Sequence, residues 1–274
     1  MYHPDSNSPP LIKRVEPDGN VRLSLAQRIA ALDHRIEYRR MKDIEDRNAV
    51  LELRKRAYGR HNGDTNAFVE NFMDSPDEQN AVTIGLFLDR VLVGACKVSI
   101  INSAYPQSQW GEFFPNEMKR LLSSGKTLID PARLVADLEV ADRCPELPFL
   151  MMRIPVAACQ HFPADECLSI VRRSHAPFYR RMFRAKPLAP PKLYEPLDVE
   201  LVIATCTIRE VWDEVLTRNP FWRVHPIELR EMFGPVSDMP AFADFDKTVP
   251  NVSLIENAAP KLAMNDRPLS QKSA

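Results

Sequence analysis

Four ionisable residues, Asp130, Arg133, Asp137 and Glu139, interrupt an otherwise apolar stretch at 127–140, TLIDPARLVADLEV. Leu128, Ala132, Leu134, Ala136 and Leu138 share one parity, and Arg133, Asp137 and Glu139 share the other. A strand here would bury the first row and present charges along the second. A buried strand tolerates such charges where they are paired or serve chemistry. The stretch therefore reads as the central strand of an α/β sheet whose charges line a cleft.

A second ionic group sits among apolar neighbours. In a helix expected from Asp43 or Asp46 to about Arg60, Val50, Leu51, Ala57 and Tyr58 form the apolar stripe. Arg54 falls in its middle, whereas Lys55 and Arg56 turn outward. Arg54 either snorkels from the edge of the stripe or is a buried guanidinium that needs a carboxylate in the cleft. Arg172, Arg173, Arg180, Arg181, Arg184 and Lys186 form a basic cluster further on, a pattern that most often marks a solvated face.

Other chemistries are poorly supported. Ser123-Ser-Gly-Lys-Thr127 has Arg120 where a phosphate loop needs glycine. The six histidines show no ligand spacing, so no metal is expected. There is no G-x-S-x-G elbow, and no G-x-G-x-x-G among the eight glycines. A net charge of −1 argues against a nucleic-acid-binding protein. Cys96, Cys144, Cys159, Cys167 and Cys206 are odd in number and form no C-x-x-C pair, as expected for reduced thiols in a cytoplasmic protein. The first residues hold no apolar run of the signal-peptide kind, and no stretch of about twenty apolar residues could span a bilayer.

The elements that would position these groups follow from periodicity. Residues 1–34 read as a tail with a peripheral helix, 35–234 as the folded domain and 235–274 as a loosely ordered tail. A first strand at 35–41 precedes the Arg54 helix, and a second short helix is expected at 66–73. Strands at 81–88 and 91–101 are joined by a tight turn at Asp89-Arg90. A helix at 113–122 leads into the central strand. The apolar segment 149–162 should be kinked or broken at Pro155. A strand at 166–171, a helix at 176–183, a strand at 197–206 and helices at 208–217 and 227–233 complete the domain.

This order resembles the GNAT acyltransferase fold, a mixed central sheet flanked by helices. More narrowly, it is similar to the branch holding acyl-homoserine-lactone synthases and FeeM-type N-acyl amino acid synthases. The resemblance rests on Glu52-Leu-Arg54-Lys-Arg-Ala-Tyr58, Val93-Gly-Ala-Cys-Lys-Val98 and Phe114-Pro-Asn-Glu-Met-Lys-Arg-Leu121. It also rests on Asp130-Pro-Ala-Arg133-Leu-Val-Ala-Asp137 and on Phe178-Tyr179-Arg-Arg-Met-Phe183, which lacks the glycine of the F-Y-x-x-x-G-F pattern. It covers roughly 35–206.

The resemblance implies N-acylation, with a fatty acyl group moving from acyl carrier protein to the α-amine of an amino acid. No tightly bound cofactor is implied. CoA-dependent relatives carry a glycine-containing loop after the central strand, whereas Ala141-Asp-Arg-Cys-Pro-Glu-Leu-Pro148 has no glycine and two prolines. That favours acyl carrier protein over acyl-CoA as donor.

By position in the branch, Arg54, Asp130 and Arg133 shape the acceptor site, with Asp137 beside them. Asp130 stands where glutamate is usual. Arg133 or Arg54 would hold the acceptor carboxylate, and Asp130 would take the ammonium proton through water, with Glu139 the alternative base. Asp130 and Arg133 share a face only if Pro131 marks a bulge. A purely structural Arg54–Asp130–Arg133 network is the competing reading. Tyr179 matches the tyrosine that protonates the departing thiolate. Arg172, Arg173, Arg180, Arg181 and Arg184 would dock the acidic carrier protein. The apolar segment from Phe149 reads as core, or else as the lining of an acyl tunnel.

Three rivals stand beside this reading. A homoserine-lactone synthase would show a tryptophan after the first helix and an E-x-D-x-F-D segment. Asn62-Gly-Asp-Thr and Glu70-Asn-Phe-Met-Asp74 fit that poorly. The others are a CoA-dependent acetyltransferase and a catalytically silent module that binds acyl groups or the carrier protein.

Overall fold

A computed structural model describes residues 23–62 and 79–243. The helix expected at 66–73, the lactone-synthase comparison at 70–74 and the tails at 1–22 and 244–274 lie outside the described residues.

A short helix, α1 (Leu25–Ala30), is closed by a capping box between Ser24 and Gln27. The edge strand β1 (Ile36–Arg40) follows, then the long α2 (Ile44–Asn62). β2 (Ala81–Leu88) and β3 (Val91–Ile101) form the expected hairpin. Asp89 and Arg90, at φ 51° and 68°, supply the left-handed pair that a two-residue hairpin turn requires. Next come α3 (Pro115–Ser123), β4 (Leu128–Ala136), α4 (Leu138–Arg143) and α5 (Leu147–His161). The chain then forms β5 (Glu166–Arg172), α6 (Ala176–Phe183), the short β6 (Lys186–Pro187) and β7 (Lys192–Tyr194), and β8 (Val199–Thr207). α7 (Ile208–Arg218) and α8 (Pro226–Phe233) end it, with Phe242 of a final 3₁₀ turn still in the core.

One mixed sheet runs β1-β2-β3-β4-β5-β8-β6, with β7 also on β8. All pairs are antiparallel except β4 with β5, joined in parallel through the crossover helices. On one face α2 packs Val50, Leu53 and Ala57 against Phe87, Ala95 and Val135. On the same face, α3 packs Met118 and Leu121 over Ile101, Leu128, Leu168 and Leu201. The opposite face carries the larger core, with α5 at its centre. Gly94 permits that close approach, because a Cβ there would lie 2.1 Å from Met151 Sδ.

Three expectations are corrected. The central strand stops at Ala136, because the Asp137 carboxylate accepts the Glu139 and Val140 N–H groups and starts α4. The bulge lies two residues beyond Pro131. Pro131 pairs regularly with Val98, while Arg133 and Leu134 together oppose the single residue Cys96. Arg133 takes φ 51°, and Leu134, counted in the buried row, is 39% exposed. Finally, of the kink or break expected at Pro155 the break is absent: α5 continues across it, and the proline forgoes the N–H that would bond the Met151 carbonyl.

Candidate active site

β4 and β5 are paired only at Leu128↔Glu166 and Ile129↔Cys167, and then they part. Two causes meet at this point. The Arg133–Leu134 bulge turns β4 aside, and β5 is held along its whole length by β8. The gap opens into a cavity of about 310 Å³. Its walls include Leu168 and Leu201 from the core under α3, and Cys167 and Cys206 from the core under α5. The cavity therefore passes through the sheet.

Its two ends differ chemically. On the α2 side, Tyr58, Trp110, Arg133 and Arg172 line it. Burial pushes the Tyr58 hydroxyl above its ordinary pKa, and the positive charges of Arg54, Arg133 and Arg172 pull it back. Three guanidinium charges thus act on this tyrosine. Arg54 is one helical turn from Tyr58 and is 1% exposed. On the other side the lining is apolar, with Met152, Pro155, Val156, Phe183, Val211 and Val215. Of the segment from Phe149, Met152, Pro155 and Val156 line the cavity, while Leu150 and Ile154 are plain core.

Asp130 is 2% exposed and lies beside the cavity rather than in its wall. It shares a sheet face with Lys97, since Ser99 pairs with Asp130 and Lys97 with Ala132. Burial raises its pKa to about 6, against the Ser108 hydrogen bond and the charges of Lys97 and Arg133. Ser108 Oγ donates to Asp130 Oδ2 at 3.2 Å and accepts the Trp110 N–H at 3.1 Å. Between them, Gln109 Oε1 accepts the Arg133 Nε–H at 3.0 Å. A three-residue strap, Ser108-Gln109-Trp110, therefore ties Asp130, Arg133 and the cavity wall together. Nothing in its sequence announced this, because its polar atoms gain meaning only from a strand twenty residues on. Lys97 is likewise buried beside Asp130, and in the sequence it stands only as one residue of the Val93–Val98 strand motif.

The other expected residues are placed as follows. Asp137 caps α4, with Arg56 3.5 Å from its other oxygen, and Glu139 is exposed on that helix; neither lines the cavity. Tyr179 of α6 does line it, its hydroxyl 3.6 Å from Met152 Sδ, and burial pushes its pKa up to about 12. Of the basic cluster, Arg172 lines the cavity, Arg173 pairs with Glu200 at 2.9 Å and Arg184 pairs with Glu214. Arg180 and Arg181 are exposed and make no ion pair among the described residues. No group of three or more His, Cys, Asp or Glu suited to a metal occurs among the described residues, and no helix there is long and apolar enough to cross a membrane.

The family model for the N-acyl amino acid synthase FeeM matches residues 49–207. The solved structure of FeeM, an N-acyl amino acid synthase from uncultured soil microbes, is 17% identical. That alignment covers 67% of this chain and 96% of that one, at a TM-score of 0.52. BjaI, a CoA-dependent acyl-homoserine lactone synthase, is 18% identical over 67% of this chain and 88% of that one, with a TM-score of 0.44. An acyl-CoA N-acyltransferase from Pseudomonas aeruginosa is 12% identical over 63% and 98%, with a TM-score of 0.42. No curated protein matches. The family match spans more than half of the 274 residues, and the chain belongs to the FeeM family of N-acyl amino acid synthases, an N-acyltransferase with a GNAT-like fold.

Proposed function

We propose that this enzyme transfers a long fatty acyl group from acyl carrier protein to the α-amine of an amino acid. The observation that carries this reading is the two-ended cavity, cationic on one side of the sheet and apolar on the other. An amino acid offers a carboxylate for guanidinium groups and an amine for the thioester. The acyl chain needs a dry channel. In this reading Arg133 and Arg172, backed by Arg54, hold the acceptor carboxylate beside Tyr58. Asp130 receives the ammonium proton through the Ser108 hydroxyl or water. The amine attacks the thioester carbonyl, and Tyr179, protonated across the physiological range, donates to the departing thiolate.

The carrier protein is favoured as donor by the helix ends near β4. The first amides of α4 are covered by the Asp137 carboxylate, and at the start of α5 the Leu147 N–H already bonds the Cys144 carbonyl while Pro148 has none to offer. A diphosphate would meet a carboxylate at the first end and few free N–H groups at the second. Arg180 and Arg181 offer an exposed cationic face to an acidic partner. Mass spectrometry of lipid extracts from a producing host tests the reading. N-acyl amino acids support it; acyl lactones or an unchanged lipid profile contradict it.

A further inference from the structure

Three thiols meet in the cavity wall, and the acyl-transfer chemistry uses none of them. Cys167 of β5 and Cys206 of β8 are direct partners in an antiparallel pair, so their side chains leave the same face of the sheet. Cys159 of α5 lines the same cavity, and the Cys167 thiol donates to the Leu168 carbonyl at 3.6 Å. All three line the cavity, and all are free thiols.

The register fixes the spacing of the strand pair. The Ile208 N–H donates to the Asp165 carbonyl and the Arg173 N–H to the Glu200 carbonyl, so every second pair between them is of the hydrogen-bonded kind. Cys167↔Cys206 falls on that repeat. Such pairs place Cα atoms roughly 5.5 Å apart, and a disulfide accepts roughly 4.4–6.8 Å. Cys167 is also the last residue of β5 paired with β4, at the apex of the cleft.

We propose that Cys167 and Cys206 form an oxidation-sensitive dithiol in the cavity wall, and that their conversion to a disulfide shuts off acyl transfer reversibly. An azo oxidant such as diamide takes two electrons and two protons from the thiols. The S–S bond forms as both S–H bonds break, and the oxidant leaves as its hydrazine. Drawing the sulfurs into bonding distance reshapes the wall at the apex, where β4 and β5 must part to admit a chain. The inhibition rests on the function proposed above; formation of the bond does not.

The experiment oxidises the folded full chain with diamide, removes the reagent, and alkylates the remaining thiols after unfolding. Peptide mapping should show one 167–206 cross-link, with Cys96, Cys144 and Cys159 alkylated. Acyl transfer should fall at least tenfold and return with dithiothreitol. Cys206→Ala and Cys167→Ala should each abolish the cross-link, and neither should lose further activity on oxidation relative to its own untreated level. Alkylation of all five thiols after oxidation, a link through Cys159, or a 167–206 link with transfer unchanged would overturn the proposal. An untreated protein that transfers no acyl group contradicts the functional reading instead, and the peptide map still decides whether the dithiol forms.

Discussion

Arg133 donates from Nε to Gln109 Oε1 at 3.0 Å, and it does so from a left-handed backbone at φ 51°. The bulge that parts β4 from β5 is thus the same feature that aims a guanidinium along the cavity wall, and the Ser108–Trp110 strap fixes it there. Opening of the cleft and placement of its charge share the Arg133–Leu134 bulge.

If Arg133 holds the acceptor carboxylate as proposed, Arg133→Ala removes a charge-assisted contact. Such contacts contribute about 1.5–3 kcal/mol, so kcat/KM for the amino acid should fall roughly ten- to a hundredfold. Gln109→Ala leaves the charge and loosens its aim, for a loss of about threefold to tenfold, mainly in KM. Steady-state kinetics with varied acceptor distinguishes them; full activity in Arg133→Ala would remove the arginine from the site.

Asp130 carries a pKa of about 6 because burial disfavours its charge. As proton acceptor it is competent only when ionised, so kcat/KM should decline below about pH 6. In Asp130→Asn, activity should be low and that acid limb absent. An unchanged pH profile in a folded, active Asp130→Asn variant would assign this carboxylate to structure alone.

Tyr179→Phe should lower kcat about tenfold with the natural thioester and less with a donor whose thiol is more acidic, since a better leaving group needs less protonation. Equal losses with both donors would mark Tyr179 as wall rather than acid.

His161 supplies a stability test away from the site. It is buried against Phe162 and Phe233, and its pKa falls from 6.5 to about 4 through burial. The unfolded chain takes up this proton below pH 6.5, while the folded chain resists until about pH 4. Stability should therefore drop as pH falls across that window, by roughly 3 kcal/mol in total. Denaturant titrations of His161→Phe should lack this part of the acid dependence; an identical dependence would contradict the assignment.

Much of the scaffold was legible because local rules agreed with the fold. Asp89-Arg90 between two apolar runs gave the hairpin, and Arg54 in mid-stripe proved to be a buried guanidinium. The alternating pattern over-extends the central strand because it continues through Asp137-Leu138-Glu139. An aspartate followed by an acidic first turn is equally a helix start, and here the cap won. Proline chemistry makes Pro131 the candidate for a bulge, yet the bulge forms at Arg133–Leu134, which no local signal marks. Trp110, Gln109 and the trio Cys159, Cys167 and Cys206 could not be read from the sequence, because each acquires its role from elements distant along the chain.

The central claim is that the gap between β4 and β5 brings a carrier-bound fatty thioester to an amino acid's amine. Purified protein supplied with a long-chain acyl carrier protein and a mixture of amino acids tests it most directly, with products identified by mass spectrometry. The account predicts an N-acyl amino acid, formed faster from the carrier protein than from acyl-CoA and lost when the acceptor carboxylate is esterified. An acyl lactone made only when S-adenosylmethionine is added, or no acyl amide at all, would contradict it.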